Sequence, residues 1–186
     1  MDKINLQVIR ESFGRVVYSH KTHEKEAERF NSSAIRTKWI NIILTSLTSG
    51  TLITTIITNQ TLLAYISAAL ATITLAFIIF QLSFTPEEKA EKHRQTAKEL
   101  WLLREKYANL IADIVSGIID SATITLKRDE LLEKLCIIYK FAPNTSPKAY
   151  QMARKALKIN EELTFSDEEI DQFLPDELKM TKLKKM

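Results

Sequence analysis

From Trp39 to Pro86 the chain carries no Asp, Glu, Lys, Arg or His, a run of 48 uncharged positions. A helix in water keeps one polar face, and this stretch offers none of the usual charged kind. It divides at Asn59-Gln60, where Asn favours a turn. The pattern predicts two transmembrane helices, residues 39–58 and 61–84. At 1.5 Å per residue they are about 30 Å and about 36 Å long, each enough to cross the hydrocarbon core. The alternative is a hairpin buried in a soluble core, and a chain of 186 residues leaves little to wrap around it.

Outside this run the apolar positions become periodic. Leu6, Ile9, Phe13, Val16, His20, His23, Ala27, Phe30 and Ala34 recur at steps of three and four, a heptad seam. Asn31-Ser32-Ser33 is expected to interrupt it just before the membrane. Beyond the second span, Thr85 is placed to cap a helix with Pro86 at its first position. Ala90, His93, Ala97, Leu100, Arg104, Tyr107, Ile111, Ile114 and Ile118 then form a second seam, widened by Trp101, Ala108 and Val115. The two seams predict that both membrane helices continue as long helices packed on each other. Residues 120–126 read as a break and Lys127–Phe141 as a helix burying Leu131, Leu132, Leu135, Ile138 and Tyr139. Ser146 and Pro147 start a helix running to about Ile159, and Ser166 with Glu169 makes a capping box for a last short one, ended by Pro175. The fold class is thus an all-α membrane protein: residues 1–38 an amphipathic helix, two spans forming a transmembrane hairpin, and residues 85–186 a helical region.

Charge sets the expected orientation. Residues 1–38 are net +3 and residues 87–186 are neutral overall, which is not the excess of a nucleic-acid binder. Arg29, Arg36 and Lys38 precede the first span, Lys89, Lys92, Arg94 and Lys98 follow the second, and the connecting turn is uncharged. The positive-inside rule places both termini in the cytoplasm, with the first span an uncleaved anchor. The single Cys136 excludes an intrachain disulfide and reads as packing within an apolar helix. Lys179, Lys182, Lys184 and Lys185 form a basic tail that either touches anionic headgroups or is simply solvated.

Candidate chemistry is sparse. On the first span Asn41, Thr45, Thr48, Thr51, Thr55 and Asn59 fall within about 120° of one another on a helical wheel. Such a stripe either lines a water-filled pore in an oligomer or bonds its hydroxyls within the helix and across to the second span. On the second span Ala64, Ser67, Ala68 and Ala71 form a small-residue ridge suited to close helix packing. With no ionisable group in either span, a proton relay or charge-coupled transporter is not expected. The three histidines lie on the seams. His20 and His23 have metal-pair spacing without further ligands, and His23 and His93, measured from the ends of their spans, are not expected to meet. They read as polar filler at a helix interface, with a pH-sensitive seam as the alternative. Asn144, Thr145, Ser146 and Lys148 at a helix start, with Arg94, Arg104 and Arg128 elsewhere, are the candidates for an anionic ligand; an ordinary cap and solvated arginines are the plainer reading. No phosphate loop, nucleophile elbow or ligand cluster points to an enzyme, a metal or a cofactor.

Five segments carry a resemblance along nearly the whole chain. Tyr18–Ala27 (YSHKTHEKEA), the Thr-rich double span, Glu91–Trp101 (EKHRQTAKELW) and Ile137–Tyr150 (IIYKFAPNTSPKAY) occur in this order, followed by Phe165–Pro175 (FSDEEIDQFLP). Together they resemble the SLATT proteins, the SMODS- and SLOG-associating two-transmembrane effectors. The resemblance implies a bacterial anti-phage conflict system and a location in the bacterial inner membrane. There a nucleotide second messenger or a sensor protein encoded nearby triggers the two-span protein. It also implies that a homo-oligomer forms a pore, depolarises the membrane and causes abortive infection, with no catalytic residues to carry over. Two other readings stay open: a non-conducting membrane-anchored module that recruits a cytoplasmic partner, and a lesion former that acts without a signal.

Overall fold

The computed structural model describes residues 3–175 and 179–180. Its helices are α1 (Lys3–Thr58), α2 (Thr61–Ser83), α3 (Pro86–Val115), α4 (Ser121–Phe141), α5 (Pro147–Lys158) and α6 (Asp167–Asp171). No strand occurs among the described residues. Of the basic tail, Lys182, Lys184 and Lys185 lie outside them.

Helix α1 is a single element of 56 residues, about 84 Å long. Asn31-Ser32-Ser33 does not interrupt it. Low intrinsic propensity costs a few tenths of a kcal/mol per residue, and the packed residues on both sides override it. The chain reverses at Asn59, whose φ of 52° is left-handed, a conformation Asn tolerates better than most residues. Helix α2 returns along α1. Between α2 and α3 only Phe84 and Thr85 leave helical geometry, with φ/ψ of −112°/96° and −97°/74°. Thr85 holds the cap position but not the cap bond: its hydroxyl lies 3.3 Å from Glu88 Oε2 instead.

The two seams pack on each other within one chain. Ile9, Val16, Ala27 and Ala34 from α1 meet Ala90, Ala97, Leu100, Tyr107 and Ile114 from α3, all buried. Leu103 and Leu110, outside the sequence seam, are also buried, because α4 covers a second face of α3 with Ile124, Leu131 and Leu135. Ile118, Trp101 and Val115, expected to extend the seam, are exposed. Helix α4 begins six residues before the expected Lys127: the Asp120 carboxylate accepts from Thr123 N at 2.7 Å and caps it. The break is therefore shorter, residues 116–120, and is closed by Gly117 at φ 69° with Ile118 N bonded to Asp113 O. Gly117→Ala is expected to cost about 1 kcal/mol in thermal unfolding, because a Cβ is strained at that φ. Leu132, Tyr139 and Cys136, expected inside, are exposed, since α4 packs on α3 by one narrow stripe and meets α1 through polar contacts such as that of the Tyr139 hydroxyl with Ser19 Oγ at 2.6 Å.

Helix α5 lies on α1 through Ala149, Ala153 and Ala156, whose methyl groups allow close approach. Ser166 caps α6 in a full capping box with Glu169. That helix stops at Asp171, four residues before Pro175.

Candidate functional site

Among the described residues two helices are long and apolar enough to cross a membrane. Around the hairpin Ile40, Ile42, Ile43, Leu47, Ile53 and Ile57 on α1 stand exposed, as do Leu62, Ile66, Ile73, Ile79, Phe80 and Leu82 on α2. So much contiguous apolar surface is stable only against lipid or protein.

Inside the hairpin the contact is polar at regular intervals. Thr48 Oγ1 lies 3.2 Å from Thr74 Oγ1, and Thr55 Oγ1 lies 3.4 Å from Ser67 Oγ. Each of these hydroxyls also bonds a carbonyl four residues back in its own helix: Thr48 to Leu44, Thr55 to Thr51, Ser67 to Leu63 and Thr74 to Leu70. In lipid such pairs hold two helices together, by about 0.6 kcal/mol each. Nearer the flank of the hairpin, Gln81 Nε2 reaches Thr37 O at 3.5 Å. Of the remaining stripe, Thr51 is half-buried and bonded to Leu47 and Thr48 carbonyls, Thr45 is exposed, and Asn59 forms the turn. Asn41 Oδ1 is buried without a hydrogen-bond partner among the described residues. On α2 the face toward α1 runs Leu63, Ser67, Leu70, Thr74, Phe77 and Gln81, while Ala64, Ala68 and Ala71 point outward and Ser67 alone of that ridge is buried.

Below the hairpin the histidines do meet. His23 Nδ1 and His93 Nδ1 stand 2.9 Å apart, one donating and the other accepting, and the residues are 4% and 2% exposed. The expected separation fails because the spans differ in length: counted from Asn59 the two histidines are 36 and 34 residues away, within about 3 Å of equal height. Phe30 stacks on the His93 ring at 5.6 Å between centroids. The Lys89 ammonium sits 5.8 Å from the Phe30 ring and 4.8 Å from that of Phe84, at the end of α2. A continuous set of contacts therefore joins the histidine pair to the end of the second span. Burial lowers the pKa of His23 to about 4, aided by repulsion from His93 and opposed by Glu26. Burial also lowers His93 and His20. Both members of the pair are neutral at pH 7.

One turn up α1 from His23, Glu26 is almost fully buried. Its Oε2 accepts from Arg29 at 2.7 Å and from the Ser146 hydroxyl at 3.0 Å, and Arg29 also donates to Ser146 Oγ. Ser146 Oγ accepts from Ala149 N as the cap of α5. The anion that sits at the start of α5 is thus the protein's own carboxylate, placed where exposed N–H groups and the helix dipole favour it. Lys21, buried, pairs with Glu162 at 2.7 Å and with Glu24, and these partners raise its pKa above the usual lysine value against the effect of burial. The segment after α5 is held to α1 in this way.

The profile of the SMODS and SLOG-associating 2TM effector domain family 4 matches residues 6–169. The chain belongs to this family. Comparisons with curated proteins and with solved structures give no match. It is a two-transmembrane effector domain of anti-phage conflict systems, a class with no known catalytic role.

In this SLATT protein the anionic-ligand candidates are not brought together. Ser146 is committed to Glu26, with exposed Asn144, Thr145 and Lys148 around it. Arg94 donates to Glu91, and Arg104 to Glu105. Arg128 donates to Asn5 Oδ1 and pairs with Asp129. Asn5 and Glu26 are 21 residues apart on α1, about 31 Å along its axis. Among the described residues no group of three or more His, Cys, Asp or Glu side chains forms a metal site. The Glu26–Ser146 and His23–His93 contacts were not read from sequence. The second had a signal, in equal distances from the turn; the first, a pairing across 120 residues, had none.

Proposed function

We propose that this effector acts in the bacterial inner membrane as a homo-oligomer that opens an ion-conducting path, depolarising an infected cell and causing abortive infection. The observation that carries this reading is the row of hydroxyl and amide groups along a membrane helix otherwise covered by aliphatic side chains. In the single chain Thr48 and Thr55 face Ser67 and Thr74, so the described hairpin corresponds to a closed arrangement. Opening would separate these pairs and turn Thr48 and Thr55 toward a shared axis with Asn41, Thr45, Thr51 and Asn59. Their carbonyl bonds within α1 keep each hydroxyl satisfied during the change. The basic flanks support an orientation with both termini in the cytoplasm. The cytoplasmic helices would then receive the trigger, a nucleotide second messenger or a sensor protein, consistent with a family named for its association with SMODS and SLOG.

The same two hydroxyl pairs favour a second reading, a non-conducting anchor whose polar stripe only holds the hairpin together while the cytoplasmic helices recruit a partner. Conductance in planar bilayers separates the two. The wild type is expected to give discrete current steps, and Thr48→Val with Thr55→Val to lower open-channel conductance severalfold, because Val keeps the shape and removes the hydroxyl. Steady silence from inserted, oligomeric wild type favours the anchor, whereas wild-type current from the double variant means a pore lined elsewhere.

A further inference from the structure

Between α1 and α3, on a flank that α4 and α5 leave uncovered, lies an open groove of about 430 Å³. Its floor is made by Ala27 and Ala97, two methyl groups that leave the space open. The α1 wall carries Glu24 and Glu28, and the α3 wall carries Arg94 and Lys98. Trp101 stands on the rim, 48% exposed, a large apolar ring with no covering element.

The heights of these groups define the partner. Counted from Asn59, Glu24 and Arg94 are both 35 residues away, and Glu28 and Lys98 are 31 and 39. Two copies in one bilayer point the same way, so a symmetric pair is related by a two-fold axis along the membrane normal. An axis through the groove sets α1 of each copy against α3 of the other at equal height. Glu24 then faces Arg94 of the second copy at the same height, acid against base on both sides of the axis, while Glu28 and Lys98 lie about 12 Å apart along it. Trp101 and Val17 are each 42 residues from Asn59, so the exposed indole meets an aliphatic side chain of the second copy. Helical side chains lean toward the helix N-terminus, which tips Trp101 toward the Ala97 floor. The charges are available for this exchange. Among the described residues Glu24, Glu28 and Arg94 pair within their own helices: Glu24 with Lys21 and His20, Glu28 with Lys25, and Arg94 with Glu91. A two-fold axis sets groups of equal height against each other, and at the height of Glu24 and Arg94 it sets acid against base.

The geometry points to this groove as the face through which two copies of the chain pair. The inference rests on the homo-oligomer reading above and names the surface that builds it. Its test uses full-length chains in two tagged forms, co-expressed, extracted in mild detergent and recovered through one tag. Glu24→Lys places two bases opposite each other in a pair of identical copies, and Arg94→Glu places two acids. In the mixed pair each base again faces an acid. Mixed pairs are expected to exceed either like pair by roughly fivefold or more, with wild type pairing as well as the mixture. Equal recovery of like and mixed pairs overturns the proposal, and so does a wild type that stays monomeric at every protein-to-lipid ratio. Bilayer recordings on the mixed pair separate the two ideas. Charge-directed pairing without current keeps the groove and removes the pore; current with charge-blind pairing keeps the pore and removes the groove.

Discussion

Lowering the pH from 7 to 5 is expected to reduce the melting temperature of the detergent-solubilised protein by about 4–8 °C. The cause is the buried pair His23 and His93, 2.9 Å apart between helices α1 and α3. The folded-state pKa of His23 is about 4, below the ordinary histidine value of 6.5, so the unfolded chain binds the proton more readily. Stability is therefore complete above pH 6.5 and is lost as pH falls from 6.5 toward 4. At pH 5 the loss is about 2 kcal/mol at 1.36 kcal/mol per unit, and each kcal/mol shifts melting by about 2–4 °C in a chain of this size. The groups around the pair do not reverse the sign. Glu26 favours the protonated form of both rings, but desolvation is the larger effect on each. Lys89 and, once protonated, His20 oppose charge on the pair, and the neighbouring Phe30 and Thr22 carry none. The double variant His23→Asn, His93→Asn keeps a polar pair and removes both titrations. Its melting temperature is expected to change much less between pH 7 and pH 5. An equally steep loss in that variant would place the acid sensitivity elsewhere.

Glu26→Ala is expected to release helix α5 from α1. The variant strips a buried carboxylate from Arg29 and from the Ser146 hydroxyl, leaving the cap of α5 without its anion. Breaking a fully buried pair costs about 3–5 kcal/mol, and the side chain of Arg29, one-third exposed, recovers part of this by turning to water, so about 2–3 kcal/mol remains. The effect is local. Amide exchange over residues 147–158 should rise by one to two orders of magnitude, while amides of α3 around Leu100 and Tyr107 stay protected. Glu26→Gln keeps an acceptor for Arg29 and should give a smaller rise. Unchanged exchange in Glu26→Ala would mean that the three alanine contacts alone hold α5.

What the sequence made legible follows from range. The spans were readable because a charge-free run of 48 residues has few alternative explanations, and the α1–α3 pairing because both seams share one period. The caps at Ser146 and Ser166 were readable because donor and acceptor lie three residues apart. Features decided by docking were not. Leu132 and Tyr139 are apolar enough for a core but stay about half exposed, Tyr139 meeting α1 by its hydroxyl, and no local pattern reveals which side of α4 is covered. The histidine pair was missed through the choice of origin: heights in a hairpin are set by its turn at Asn59, not by the nominal ends of spans of unequal length. For the pore stripe, periodicity gathered Thr48 and Thr55 onto one face, and the described hairpin sets that face against α2. Whether it turns to a shared axis in an assembly depends on contacts between chains, which no helical wheel contains.

Helix α1 runs from the helical bundle to the turn without a break, whereas its partner is jointed at Phe84 and Thr85. Mechanically the chain is a stiff lever beside a hinged arm. Thr55 lies 32 residues beyond His23, about 48 Å along the axis. Tilting α1 by about 5° about the histidine pair would carry Thr55 sideways by about 4 Å, close to half the 8–10 Å between packed helix axes. A ligand or partner that shifts the base of α1 by an ångström or two thus commands a displacement of several ångströms at the far side of the bilayer. The joint lets α2 stay behind while the lever swings.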